Sequence, residues 1–217
     1  MKRVGIFGGA FDPPHIGHVR LAEQCRERLG LEELLIVPSF RSPHKPNPNT
    51  DFDHRLEMCR LAFQGSSLGC HRLPAATSGE LQRHPCRGKL YTVSDIERQI
   101  GGEGYTIITL RKIKANYPSG TKFFLIIGGD MLFYFDNWFR YESILKECSV
   151  VAAAREEDSY ADLTEKAAEL GHVKVLNLPV NEISSTMIRE RLKSGGDTSE
   201  LLTPEVADYI SQNKLYV

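Results

Sequence analysis

Two familiar phosphate-binding patterns are missing from this sequence of 217 residues. It contains no Gly-x-x-x-x-Gly-Lys-Ser/Thr and no Gly-x-Gly-x-x-Gly, which excludes a P-loop and the common dinucleotide fingerprint. Charge of one sign is also missing. The formal net charge is −1, whereas a general nucleic-acid binder carries a basic excess, so nucleic acid is not an expected partner. No apolar run is long enough to span a bilayer, which argues against a membrane partner. The N-terminus enters an apolar strand at once, so a signal peptide is not expected. Cysteine is sparse: Cys25, Cys59, Cys70, Cys86 and Cys148 are odd in number and include no Cys-x-x-Cys. That usage suits reduced thiols and a cytoplasmic location. Cys70-His71 and His84-Pro85-Cys86 match no usual zinc-ligand spacing, and no protein-bound metal is expected. There is no internal repeat and no low-complexity stretch.

What is present is an ordinary globular composition, 41% apolar and 25% charged, in a chain long enough to bury a sizeable core. Its most telling stretch is Gly5-Ile6-Phe7-Gly8-Gly9-Ala10-Phe11-Asp12-Pro13-Pro14-His15-Ile16-Gly17-His18. An apolar strand breaks at two glycines, and two histidines follow where a helix should begin. Glycines at a strand end let backbone N–H groups approach a phosphate without interference from Cβ. The helix N-terminus behind them favours negative charge. His15 and His18, three residues apart, share one helical face and can reach the same anion. Backbone donors, a helix dipole and two imidazoles aimed at one point suit a nucleoside triphosphate.

Apolar runs and helical patterns alternate along the rest of the chain. Strands are expected at Arg3–Gly8, Leu34–Pro38, Lys122–Gly128, Ser149–Ala154 and Val173–Leu178, and their short, two-sided apolar character reads as buried parallel strands. Helices are expected at Ile16–Leu29, Asp53–Phe63, Ile107–Asn116, Tyr141–Lys146, Leu163–Leu170, Thr186–Lys193 and near Pro204–Gln212. Gly30 suits the C-cap of the first, and Thr203-Pro204-Glu205 the start of the last. This order implies an α/β fold, a doubly wound, mostly parallel, Rossmann-like sheet that binds ligands beyond its strand C-termini. The irregular, glycine- and proline-containing stretch 66–104 reads as a loop or hairpin excursion from a single domain spanning 1–217.

Two further segments carry chemistry. Pro38-Ser39-Phe40-Arg41-Ser42-Pro43-His44-Lys45 follows the second strand, and a proline-stiffened loop there can hold Lys45 as a mobile point charge over a phosphate. Ile183-Ser184-Ser185-Thr186-Met187-Ile188-Arg189 opens a helix near the C-terminus. Capping explains one serine but not two serines, a threonine and an arginine together.

The opening stretch resembles the signature of the nucleotidyltransferase superfamily, Gly-Gly-x-Phe-Asp-Pro-x-His-x-Gly-His. The late block matches the second signature, Ile-Ser-Ser-Thr-x-Ile-Arg, at every position. Within that superfamily the chain is similar to the bacterial nicotinate-nucleotide adenylyltransferase family. Pro43-His44-Lys45 looks like its Pro-His-Lys loop, Tyr105-Thr106 with Thr109-Leu110 like its Tyr-Thr-x-x-Thr-Leu segment, and Gly128-Gly129-Asp130 with Trp138 like its Gly-x-Asp and tryptophan. Val206-Ala207-Asp208-Tyr209-Ile210 and Leu215-Tyr216 look like its terminal helix. The resemblance implies adenylyl transfer from ATP to nicotinate mononucleotide, giving deamido-NAD and pyrophosphate, with Mg²⁺ carried by ATP.

It also implies roles. His18 serves the α-phosphate with His15 beside it, and Lys45 the incoming or leaving phosphate. Gly8, Gly9, Ala10 and Phe11 cradle the triphosphate, which Ser184, Ser185 and Arg189 hold from the other side. Gly128 and Asp130 belong to the ATP-binding set, with Asp130 accepting from the ribose hydroxyls in preference to capping the helix that follows. Tyr105 and Thr106 offer backbone N–H groups to the pyridine carboxylate. Trp138 stacks on the pyridine ring or packs in the core.

Three positions depart from the family pattern: Ala10 stands where Thr or Ser is frequent, Gly104 where Ser is common, and Ile108 where many relatives carry Asp. The last two border the acceptor pocket. Rival acceptors are nicotinamide mononucleotide and phosphopantetheine, and a rival of another class is a non-catalytic nucleotide-binding regulator. The sequence leaves a homo-oligomer open.

Overall fold

A computed structural model describes residues 1–41, 50–64, 91–102, 104–154, 158–178 and 183–217. Its frame is a six-stranded, all-parallel sheet: β1 (Arg3–Gly9), β2 (Glu33–Pro38), β3 (Tyr91–Val93), β4 (Lys122–Gly128), β5 (Ser149–Ala154) and β6 (Val173–Asn177), in the order β3-β2-β1-β4-β5-β6. The helices are α1 (Ile16–Leu29), α2 (Phe52–Gln64), α3 (Ile96–Ile100), α4 (Thr106–Lys114), α5 (Gly129–Leu132), α6 (Tyr141–Glu147), α7 (Tyr160–Leu170), α8 (Ser185–Lys193) and α9 (Pro204–Gln212).

Past their first residues, Arg3, Glu33, Lys122 and Ser149, the central strands are apolar because both sheet faces are covered, and successive side chains serve opposite faces. Phe7, Leu34, Ile36, Phe124, Ile126, Val151 and Ala153 point into a core with Val19, Ala22 and Cys25 of α1, Met58, Cys59 and Phe63 of α2, Ile188 of α8, and Val206 and Ile210 of α9. Their neighbours Val4, Ile6, Leu35, Val37, Leu125, Ile127, Val150 and Ala152 point into the second core with Ile107, Leu110 and Ile113 of α4, Ile144 of α6 and Leu163 of α7. A one-residue slip in any of these strands would exchange the two sets.

The expected caps form. Gly30 closes α1 in the left-handed conformation, φ 58°, its N–H donating to the carbonyls of Arg26 and Glu27. Thr203 Oγ1 accepts from Val206 N at 3.4 Å, with Pro204 in the first turn of α9. Two expectations need correction. Residues 91–100 do not belong to an excursion: Tyr91–Val93 pairs with β2 as the edge strand, and α3 follows it. Three residues are too short to show a periodic signal, so sheet pairing alone defines that strand. Nor is β6 a fully buried strand, since as the other edge it buries only Leu176 among its residues. Residues 65–90 of the expected excursion, the Cys70 and Cys86 pairs and Lys45 lie outside the described residues.

Strand order reverses between β1 and β4, and in open parallel sheets the crevice outside the strand C-termini at such a switch point receives ligands. The loops after β1, β2 and β4 meet there. Among the described residues no helix is long and apolar enough to cross a membrane.

Candidate active site

The loop from Gly9 to Pro14 connects β1 to α1, and four of its carbonyls are held by donors from distant parts of the chain. Ser39 N donates to Gly9 O at 2.8 Å. Arg55 Nη1 donates to Ala10 O at 2.7 Å, Arg189 Nη1 to Asp12 O at 2.8 Å, and Ser185 Oγ to Pro13 O at 2.9 Å. A planar trans peptide points its N–H opposite its C=O. The N–H groups of Ala10 and Phe11 therefore point away from Ser39 and Arg55.

Phe11 adopts φ 49°, a left-handed conformation that costs a non-glycine residue roughly 1–2 kcal/mol. Its ring is fully buried, edge-on to Phe7, His18 and Phe63. Burial of such a ring contributes about 1.5–3 kcal/mol, enough to offset the strain. The bulky residue in the glycine turn thus anchors the loop while its backbone faces the site.

The two histidines cap α1 reciprocally. His18 N donates to His15 Nδ1 at 3.4 Å and His15 N donates to His18 Nδ1 at 3.3 Å, a capping box in which imidazoles take the usual Ser and Glu roles. An Nδ1 that accepts a hydrogen bond carries no proton, so the neutral rings hold theirs on Nε2. This assignment follows from the hydrogen bonds, and it makes each Nε2 a donor. The rings stack with centroids 3.7 Å apart. Gly17 permits this approach, because a Cβ there would lie 3.1 Å from His15 Nδ1.

Arg55 is the residue that sequence reasoning missed. Its side chain is among the largest fully buried ones, 2% exposed, with Nε donating to Thr50 O at 3.0 Å as well as Nη1 to Ala10 O. Burial pulls its pKa down, while the Asp12 carboxylate opposes that shift. The signal was present: Arg55 falls on the same stripe as Phe52, Leu56, Cys59 and Phe63, the apolar face of α2. Asp12 is buried too, and its Oδ1 accepts from Tyr216 OH at 2.6 Å, across 204 residues. Burial and that carboxylate raise the phenol's pKa, which keeps Tyr216 a donor.

The late block divides by role. Ser184 is the N-cap of α8, its Oγ accepting from Met187 N at 3.1 Å. Ser185 and Arg189 reach the β1–α1 loop, and Arg189 Nη2 also donates to Thr186 Oγ1 at 3.1 Å. Gly8 and Ala10 are exposed at the end of β1. Gly128 ends β4, and Asp130 is exposed in the first turn of α5.

On the other side of the crevice, α4 begins at Thr106 with no side chain capping it and no acid in its first turn. Its N–H groups and partial positive charge of about half an electron suit a carboxylate. Tyr105 stacks on Phe139 with centroids 4.7 Å apart, which brings the start of α4 beside the segment that holds Trp138. Trp138 is half-buried against the second core, 5.2 Å from the Phe135 ring. Phe139 and Ile108 are 45% and 42% exposed and form an apolar lip. Among the described residues, no group of three or more His, Cys, Asp and Glu could hold a metal.

Comparisons with known proteins bear on the family and the fold. The cytidylyltransferase-like family model matches residues 6–191. The nicotinate-nucleotide adenylyltransferase of Bacillus subtilis is 34% identical over 221 residues, covering 100% of this chain and 99% of that protein. A protein of Lachnoclostridium phytofermentans is 33% identical over 223 residues and covers 100% of both chains. The Plasmodium falciparum nicotinic acid mononucleotide adenylyltransferase complexed with NaAD shares the fold, with a TM-score of 0.73 at 20% identity over 100% of this chain and 98% of that one. With a family model over most of its length and a relative matched end to end, the chain belongs to the nicotinate-nucleotide adenylyltransferases, within the cytidylyltransferase-like group of nucleotidyltransferases.

Proposed function

We infer that the chain transfers the adenylyl group of ATP to nicotinate mononucleotide, forming deamido-NAD and releasing pyrophosphate. The observation that carries this reading is the reciprocal histidine cap at the switch point of the sheet, which fixes both imidazoles through Nδ1 at the head of α1. The nucleophile is the mononucleotide's phosphate oxygen, already anionic at neutral pH, so no general base is required. That oxygen forms a bond to the α-phosphorus in line as the bond to the bridging oxygen breaks, and pyrophosphate leaves with the electron pair. Catalysis is then positioning, plus stabilisation of the charge that grows on the α-phosphate and the departing pyrophosphate.

His18 donates to the α-phosphate and bridging region, with His15 beside it. The amides of Ala10 and Phe11 line the triphosphate, and Lys45 serves the incoming or leaving phosphate. Mg²⁺ enters with ATP as part of the substrate. Ser185 and Arg189 fix the loop through Pro13 and Asp12 and reach the β- and γ-phosphates from that position. Asp130 accepts from the ribose hydroxyls. The open N-terminus of α4 at Tyr105-Thr106 receives the pyridine carboxylate, with Trp138 against the ring. The odd number of cysteines, with no Cys-x-x-Cys, suits work in the cytoplasm.

The test is pyrophosphate release from Mg·ATP with nicotinate and nicotinamide mononucleotides offered in parallel. Strong preference for the acid is expected. Equal use would replace the carboxylate reading with a relaxed pocket, and no release with either would overturn the assignment.

A further inference from the structure

We propose that Glu97 is the positioning residue of the acceptor half, pinning the exit of β2 to the start of α4 so that the α4 amides face the acceptor. This rests on the adenylyl-transfer reading above and goes beyond it, since no motif includes Glu97.

The contacts of this side chain are unusual for a glutamate on a helix of five residues. Its Oε2 accepts from Phe40 N at 3.0 Å, across 57 residues, and its Oε1 accepts from Thr109 Oγ1 at 3.4 Å. Thr109 is buried in the second turn of α4. Gly104 N donates to Arg41 O at 2.8 Å, closing the same junction through backbone alone. Phe40-Arg41, Glu97 and Gly104-Tyr105 therefore meet at one point from three separate segments. Of α3 itself only Ile96 is buried, so its own packing contributes little to placing this carboxylate. Burial raises the pKa of Glu97, and the bonds from Phe40 and Thr109 oppose that shift.

Gly104 supplies an independent observation. A Cβ at that position would lie 2.6 Å from Glu97 Oε2 and 2.7 Å from Arg41 O, closer than real Cβ contacts come. The carboxylate and the carbonyl occupy the space a side chain would need. The glycine that departs from the family pattern is thus a consequence of how closely this carboxylate packs on the junction. Losing Glu97 frees Phe40 N and Thr109 Oγ1 together, and leaves the head of α4 tied to the exit of β2 by the Gly104–Arg41 backbone bond alone. The hydrogen bonds of Arg55, His15, His18 and Arg189 to the donor-side loop do not pass through Glu97, whose carboxylate acts on Arg55 only as a charge at a distance.

The experiment is steady-state kinetics of the full chain with Mg·ATP and nicotinate mononucleotide, each varied in turn, beside thermal unfolding. Loss of two hydrogen bonds at the junction predicts that Glu97→Ala raises KM for the mononucleotide about ten-fold, with kcat and KM for ATP within about two-fold of wild type. Glu97→Gln retains an oxygen for Phe40 N–H and offers an amide to Thr109 Oγ1, so it returns KM to within about three-fold of wild type. Gly104→Ala, which crowds the same carboxylate, shifts KM in the same direction without removing it. If Glu97→Ala lowers the unfolding midpoint but leaves KM for the mononucleotide unchanged, or raises both KM values together, the positioning role is wrong. An unrescued Glu97→Gln would also overturn it. A wild-type enzyme that uses only nicotinamide mononucleotide would instead sink the carboxylate reading, and the KM split would then be measured with that acceptor.

Discussion

The two sides of the crevice are built differently. The donor side, from Gly9 to His18, is held by the buried Arg55 of α2 and by half-buried side chains from α8 and the C-terminal tail, each with a hydrogen bond to the loop. The acceptor side, around Tyr105, Ile108, Trp138 and Phe139, is an open helix N-terminus bordered by half-exposed aromatic and aliphatic groups. A triphosphate needs fixed donors at fixed distances, which only an over-determined loop can hold. An acceptor pocket is specified by a few groups and tolerates change. Two of the three departures from the family pattern, Gly104 and Ile108, fall on the acceptor side. The third, Ala10, leaves the donor side intact because its carbonyl, not its side chain, receives Arg55.

The largest effect that would test this contrast is at His18. Removing one well-aimed donor costs roughly 3–4 kcal/mol in the barrier, so His18→Ala should lower kcat by about two to three orders of magnitude in a protein that still folds. Near-wild-type turnover would remove the histidine from the chemistry. Arg55→Ala comes next, measured as stability. It leaves the Thr50 and Ala10 carbonyls and the buried Asp12 carboxylate without their cation, and a loss of about 3–5 kcal/mol in urea unfolding is expected. A loss below about 1 kcal/mol would mean that the donor side is not over-determined after all.

Tyr216→Phe is subtler. Deleting one hydroxyl bond to a buried carboxylate should raise KM for ATP about three- to ten-fold and leave KM for the mononucleotide alone. A change confined to the mononucleotide would invert the comparison. On the acceptor side, Ile108→Asp places an acid in the first turn of α4. It should stabilise that helix by about 0.3–1 kcal/mol, seen as a small rise in unfolding midpoint, with turnover little changed. The smallest effect concerns thiols. Burial pushes Cys25 and Cys148 up to about 12, so at about pH 8 almost none is thiolate, and maleimide labelling with peptide mapping should find both unmodified.

Much of the donor side was legible in the sequence because its signals are local. The glycine break after an apolar strand, histidines at i and i+3, the caps at Gly30 and Thr203 and the Ser184 start of α8 all act within one turn of the chain. The alternating apolar runs specified a parallel sheet for the same reason. The sequence also placed Ser185 and Arg189 in the site, but not their bonds to the loop carbonyls, which join residues more than 170 positions apart.

By itself, then, the sequence determined the alternation of strands and helices, the glycine turn after the first strand and the pair of imidazoles, since short-range sterics and periodicity decide those. Tertiary structure alone decided that Tyr91–Val93 is a strand, that Arg55 is buried beneath the loop, that Tyr216 reaches Asp12, and that Glu97 fills the space at Gly104. Each of these depends on a partner far away in sequence. A hydrogen bond or strand pairing of that kind leaves no mark in the local pattern of either partner until the sheet brings them together.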